Sequence, residues 1–542
     1  MRILIATYWP LPHIGGVSTY IDTLAAGLEG MGHQVEVLGQ LPDLSGYHLR
    51  KSGHAAGKSL LADVTEAEIV RGYKAHGVDV TPWIAWRETE KFSFGQMCRR
   101  CALEQYDLIH AQDIVSAFAM ANVKPDSVPL VATIHGCLAT EWTETGEWRF
   151  RTSMEKEYIH LEEYYGSMTP DQLILPSRWL ADRLAAFAVA HPRAEVIAYG
   201  LGENKRVGPT PEEFRAASGA RQKTIVCAAR LVAVKGHRYL VQALHLMRQC
   251  DEEFVCRLAG DGALRSELED QVKRLGLQDC VEFLGDVPDA KAVLATADVV
   301  VLPSLQDNLP FAVMEAQALG KPVVASAVGG IVEMIQDGID GFLVPSRDVE
   351  QLSARLSLLL RDEDLRRRMS VRAAQKATER WDAQTMLTRT VRVYEEAVRT
   401  VRAQGDGAGT GTGASVSAPA SVKGNATASA PPVPAPVFAA ALKQRCRVSG
   451  APDDPIPVLA TVSGCVRAAA AQQTVGDASV HLLDVTGIVL RSVGTDEQGN
   501  FTMGGVPAGT YTLACFSRAH GSRTQKISVP QAADSPFAVL LA

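Results

Sequence analysis

The chain has 542 residues, 46% hydrophobic and 21% charged, with a formal net charge of −7. That length exceeds a single core and predicts several domains, while the acidic balance gives no global electrostatic case for nucleic acid or an anionic membrane. Its 10 cysteines lie scattered without framework spacing, which points to reduced thiols and a cytoplasmic address.

The opening run "MRILIATYWPLP" is too short for a signal peptide or a spanning helix and predicts a first buried strand. Further strands are expected at "QVEVLGQ", "LIHAQD", "LVATIHG", "QLILPS" and "EVIAYG", separated by longer amphipathic stretches. After the first strand, Gly15 and Gly16 suit a loop passing close to a ligand before a helix from about Val17; a plain tight turn is the alternative. His135 ends "VATIHG", at the carboxyl end of a strand, where open α/β sheets bind ligands. "SGHAAGKS", residues 52–59, approaches a phosphate-loop motif, but Ser52 replaces its first glycine and no buried strand precedes it. "CRRC", residues 98–101, lacks the second pair that zinc requires.

A second series of strands follows: "TIVCAAR", "FVCRLAG", "VEFLG", "VVVLPS", "KPVVAS" and "GFLVP". Helical periodicity marks "HRYLVQALHLMRQ" and "ALRSELEDQVKRLGL", the latter with Gly276 as a left-handed cap. Arg230 and Lys235 fall in a loop after a strand, where a guanidinium fork and a mobile ammonium could grip phosphate; alone, such a pair is more often surface charge. Gly260 and Gly262 of "AGDGAL" mark another strand end. In "VVVLPSLQDNLPFAVMEAQALGKPVVA" a buried strand gives way to a helix capped at Asn308 or Leu309, with Pro310 in its first turn and Gly320 as its stop. Asp307 before that helix and Glu315 inside it bracket a helix N-terminus, whose free N–H groups form an anion site. Acids on both sides of an anion suit a ligand with hydroxyls flanking a diphosphate. The plain alternative is that Asp307 caps the helix and Glu315 is solvated. "DED", residues 362–364, fits a solvated charged face better than a metal site.

Repeated strand–helix–strand units imply parallel sheets covered on both faces, in two Rossmann-like domains, residues 1–200 and 201–381, facing a cleft. A helix at 382–402 closes this region, and a Gly-, Ala-, Ser- and Pro-rich flexible linker spans 403–454. Period-two alternation over 455–542 predicts a small antiparallel β-sandwich with turns at 496–500 and 506–509.

The run "PSLQDNLPFAVMEAQALGKPVVASAVGGIVEMIQDGIDGFLVP", with "ARLVAVKG", "LAGDGALRSELE" and "VEFLGDV", resembles the donor-site signature of glycosyltransferase family 4. These are retaining, metal-independent enzymes of the GT-B fold, and the resemblance covers about Met1 to Arg402. It implies a catalytic set of His135, Arg230, Lys235 and Asp307, with the two cations gripping the diphosphate. Glu315 is implied to contact the ribose, as second acid of a Glu-x7-Glu motif whose first place is held by Asp307. Asn308, Leu309, Pro310 and Phe311 are implied to offer backbone amides, Leu284, Gly285 and Asp286 to lie beside the base, and Gly16 to face the reacting sugar; Gly15, Gly260 and Gly262 complete the donor-binding set. Two departures stand out. Asp307 is one methylene shorter than the usual Glu, and Glu203 to Pro209 lacks an Asp usual there.

The same resemblance implies a UDP-, GDP- or ADP-sugar donor, no cofactor, and a hydroxyl acceptor that is a glycan, a lipid-linked species or a small molecule, in bacterial polysaccharide or envelope-glycan synthesis. A cytoplasmic chain in peripheral contact with the inner membrane face fits that setting. A GT-B phosphorylase or synthase acting on a soluble sugar, or a catalytically silent nucleotide-sugar-binding scaffold, are the alternatives. "VSGCV", "ASVHLLD" and "TDEQGNFTMGGVPAGTYTL" resemble the carboxypeptidase regulatory-like, transthyretin-like sandwich. That module shows no catalytic constellation, which leaves it a protein or carbohydrate partner.

Overall fold

The computed structural model describes residues 1–13, 15–61, 66–202, 222–407, 439–444, 460–468, 474–476, 478–483, 489–506, 509–517, 521–529 and 535–541. The first sheet comprises β1 (Arg2–Pro10), β2 (Gln34–Gln40), β3 (Gly46–Leu49), β4 (Ala55–Gly57), β5 (Leu108–Ala111), β6 (Leu130–Thr133), β7 (Gln172–Leu175) and β8 (Ala194–Val196). Its order is β4-β3-β2-β1-β5-β6-β7-β8. The second comprises β9 (Lys223–Ala228), β10 (Phe254–Ala259), β11 (Val281–Gly285), β12 (Val299–Leu302), β13 (Val323–Ser326) and β14 (Gly341–Val344), in the order β11-β10-β9-β12-β13-β14.

Burial on both faces explains why these strands read as continuous apolar runs. In β1, Leu4 and Ala6 pack into one core of the first domain while Ile3 and Ile5 face another on the opposite side of the sheet. That second core continues through Tyr199, Phe311 and Trp381 into Val300 and Leu302 of β12, so apolar packing joins the two domains at the base of the cleft. The helix Ala383–Gly407 strengthens the join: its buried Tyr394 hydroxyl meets His110 Nδ1 at 2.7 Å, and Arg389 pairs with Glu195 at 2.8 Å.

Several features differ from the sequence reading. The first sheet is not wholly parallel: β3 and β4 form an antiparallel edge hairpin, too short for a clear period of two. The near-miss phosphate loop lies there, and its Lys58 is ion-paired with Glu90 at 2.5 Å and lies over the Tyr47 ring. The expected linker is also more structured. The closing helix runs beyond Arg402, and Ala439–Gln444 form a helical turn whose Ala439 and Leu442 are buried against the first domain, with Lys443 Nζ donating to His76 O at 3.0 Å. Two apolar side chains four or fewer positions apart suffice for such docking, and a Pro/Ala-rich composition hides them. The rest of 408–459, with Glu203 to Pro209, lies outside the described residues.

At the C-terminus β15 (Ala460–Ala468), β18 (Asn500–Val506) and β21 (Ser535–Leu541) form one sheet. The other contains β16 (Ser479–Leu483), β17 (Val489–Gly494), β19 (Gly509–Ser517) and β20 (Gly521–Val529). The expected turn at 496–500 closes with Asp496 N donating to Asn500 O at 2.9 Å, while Pro507 and Ala508 lie outside the described residues. One pair is parallel, contrary to an all-antiparallel reading: the last strand returns alongside β15.

Candidate active site

The site is built at the carboxyl ends of β9, β10 and β12, facing those of β1 and β6. After β9 the chain makes a short turn, Ala233–Lys235, that delivers Lys235 to the loop after β12, where its Nζ meets Asp307 Oδ2 at 2.5 Å. Ser304 Oγ also donates to that oxygen, at 3.2 Å. Asp307 is fixed from behind. Gly329, at φ +57°, packs so closely that a Cβ there would lie 1.6 Å from Asp307 O, and Gly330 N donates to the same carbonyl at 3.1 Å. Arg230, in the same loop as Lys235, makes no ion pair among the described residues.

Asp307 therefore does not cap the following helix. That helix is Phe311–Ala318, and its cap is Pro310 rather than Asn308 or Leu309, with no side-chain hydrogen bond to its first N–H groups. Asn308 is committed elsewhere: its amide donates to His135 O at 2.9 Å and accepts from Ser177 Oγ at 2.5 Å, tying the two domains together. Leu309 and Phe311 are buried, and the Phe311 ring stacks on Tyr199 at 5.3 Å and 7°. Gly320, at φ +62°, ends the helix as expected.

Glu315 is not solvated either; it is 8% exposed. Burial pushes its carboxyl up to about 7, with Lys291 pulling it back and Asp289 adding to the rise. Its electrostatic neighbours differ from those of Asp307, so the two acids occupy separate compartments on either side of an uncapped helix N-terminus.

On the opposite wall, Gly15 precedes and Gly16 begins the helix Gly16–Gly30, one residue before the expected start, and Gly16 lies against the Phe311 ring. His135 follows β6, with Nδ1 2.6 Å from the Tyr199 hydroxyl and Nε2 3.2 Å from Gln112 Oε1. Burial lowers it to about 3, so the ring is neutral at physiological pH. Gly260 and Gly262 lie close against the Arg230 loop: a Cβ on Gly260 would strike Ala229 O at 2.3 Å and one on Gly262 Leu231 O at 2.6 Å. Leu284 and Gly285 end β11 beside them, where Gly260 N donates to Gly285 O at 2.8 Å.

Two cleft residues escaped the sequence reading. His13, on the loop after β1, feels the charge of Arg230 and is lowered to about 4, mainly by burial. Glu141, in the helix Leu138–Thr145, feels Lys235, Arg230 and Asp307. The buried Glu163 fixes that helix by accepting from Leu138 N at 2.6 Å, and burial pushes its carboxyl up to about 7. Each is a single acid or histidine without a motif to mark it.

Two α/β domains packed across one cleft give the GT-B architecture. The family models agree: Glycosyltransferase Family 4 matches residues 14–201, Glycosyl transferases group 1 matches 211–376, and the carboxypeptidase regulatory-like domain matches 461–542. The chain is a glycosyltransferase that carries a carboxypeptidase regulatory-like domain at its C-terminus. It is 27% identical over 423 residues to the MMP alpha-(1->4)-mannosyltransferase of Mycolicibacterium hassiacum, covering 74% of this chain and 100% of the relative. It is 31% identical over 216 residues to an amylovoran biosynthesis glycosyltransferase of Erwinia amylovora, covering 38% of this chain and 51% of the relative. Among solved structures, HepE of Anabaena in complex with UDP-glucose aligns with a TM-score of 0.53 at 20% identity, over 74% of this chain and 100% of that one.

Proposed function

We propose that this protein is a retaining, metal-independent transferase that moves a sugar from a nucleoside diphosphate sugar to a hydroxyl acceptor in bacterial polysaccharide or envelope-glycan synthesis. The observation that carries it is the Lys235–Asp307 pair beside an Arg230 that has no ion pair among the described residues, and a buried Glu315. Lys235 and Arg230 supply the positive charge that a departing diphosphate needs, the uncapped helix N-terminus adds its partial charge, and Glu315 accepts from ribose hydroxyls. Asp307, with Lys235, meets the donor sugar. The acceptor oxygen bonds to the anomeric carbon as the bond from that carbon to the diphosphate breaks, and the hydroxyl proton leaves with the diphosphate.

The complex of the HepE neighbour with UDP-glucose supports a nucleotide-sugar donor, and retention follows from the family resemblance. No described helix is long and apolar enough to cross a membrane, which fits a peripheral approach to a lipid-linked acceptor. A thermal-shift screen against UDP-, GDP- and ADP-sugars tests the reading, since a ligand at 100 times its Kd adds about 2.7 kcal/mol of stability. One nucleotide class is expected to raise Tm and to be turned over; binding with neither transfer nor hydrolysis across a broad acceptor panel would leave a silent scaffold.

A further inference from the structure

We propose that Glu141 is the acceptor-side carboxylate of the transfer site: it accepts a hydrogen bond from the incoming hydroxyl and selects a neutral sugar acceptor over an acidic one. This rests on the transferase reading above. Glu141 lies within the first helix after His135, and that helix packs across the cleft on the Ala233–Lys235 turn. Its carboxylate folds back over the chain beside His135, where a Cβ on Gly136 would lie 3.2 Å from Oε1.

The charges of Lys235, Arg230 and Asp307 all reach Glu141, yet among the described residues its carboxylate forms no ion pair and accepts no hydrogen bond. Burial raises its pKa, the two cations pull it down, and Asp307 raises it again. A carboxylate with no protein donor keeps its lone pairs for water or a ligand. Here the missing donor is the substrate: the space between Glu141 and the diphosphate grips is where an acceptor hydroxyl must enter to reach the anomeric carbon.

Local charge then decides which acceptor fits. Lys235 and Arg230 are the positive groups, Asp307 and Glu141 the negative ones, and His135 and His13 are neutral, held down to about 3 and about 4. Once a diphosphate occupies the two cations, both carboxylates are left uncompensated. A sugar hydroxyl meets them as a donor, whereas a carboxylate or phosphate next to the reacting carbon meets repulsion.

The test uses the full chain and the nucleotide sugar selected by the thermal-shift screen, with a neutral pyranoside and the matching uronide as acceptors. Glu141→Gln keeps the shape and removes the charge. It is expected to raise KM for the neutral acceptor about tenfold, leave donor Kd within about twofold, and narrow the preference over the uronide; Glu141→Asp recovers part of the loss. An unchanged acceptor KM, or a donor Kd that moves as much as the acceptor KM, would overturn the assignment, the second because Glu141 would then act through Lys235 and Arg230. A wild-type protein that binds nucleotide sugar but transfers to neither acceptor nor water overturns the transferase reading itself, a result distinct from failure of the variant alone.

Discussion

On the wall of the cleft built by the second sheet the polar side chains are charged, with Lys235 paired to Asp307 and Arg230 in the same loop as Lys235. Across the cleft, His135 is neutral, hydrogen-bonded at both ring nitrogens and packed edge-on to Tyr20 at 4.9 Å. Under the proposed function, the difference matches the charge of the substrate. A diphosphate needs fixed cations where its negative charge grows, and short strand-end loops can deliver them without carrying them through a core. A neutral sugar needs no such charge, and the neutral His135 ring, its two nitrogens engaged by Tyr199 and Gln112, adds none that would draw a diphosphate out of place.

Removing Lys235 is the strongest way to break that contrast. Lys235→Ala leaves Asp307 uncompensated and strips the leaving group of its counter-charge, so kcat/KM is expected to fall by about a thousandfold with an unchanged circular dichroism spectrum. Normal turnover would show that the ionic side is structural only. Glu315→Gln is expected to weaken donor binding by about tenfold to a hundredfold, read by calorimetry.

The same substitution tests a pH dependence. The Glu315 carboxyl is raised in the fold from 4.5 to about 7, so its stability contribution is fully present below 4.5 and is lost as pH rises through about 7. Glu315→Gln should flatten that part of the Tm-against-pH profile; an identical profile would mean Glu315 does not titrate there. Glu163 carries a shift of the same sign, also to about 7, so the slope should diminish and not vanish.

On the neutral side, Tyr199→Phe removes the hydroxyl 2.6 Å from His135 Nδ1 and is expected to lower kcat by about tenfold with little change in donor KM. A loss confined to donor KM would move Tyr199 to the ionic side. The smallest effect is expected from Leu442→Asp: it should release the docked turn, seen as faster hydrogen exchange at 439–444, while transfer stays within about twofold, since surface segments far from a site rarely couple to it. A larger loss would tie the C-terminal module to catalysis.

Much of the fold was legible because its strands, buried on both faces, leave unbroken apolar runs such as "LVATIHG" and "VVVLPS". Arg230, Lys235, Asp307 and Glu315 could be singled out because strand-end loops and helix N-termini are where charge can meet a ligand. The β3–β4 edge hairpin, the last strand and the docked 439–444 turn were hidden by shortness or by composition.

Which charges face each other is set by packing across the chain. Lys235 and Asp307 are 72 positions apart, and nothing local in either segment specifies the 2.5 Å contact between them. The bridge from Asn308 to His135 and the approach of Glu141 to Lys235 both depend on two domains closing over one another. Local sequence sets propensity and pattern over a few residues. Pairing and desolvation are set by distance in space, which the chain acquires only when its cores pack.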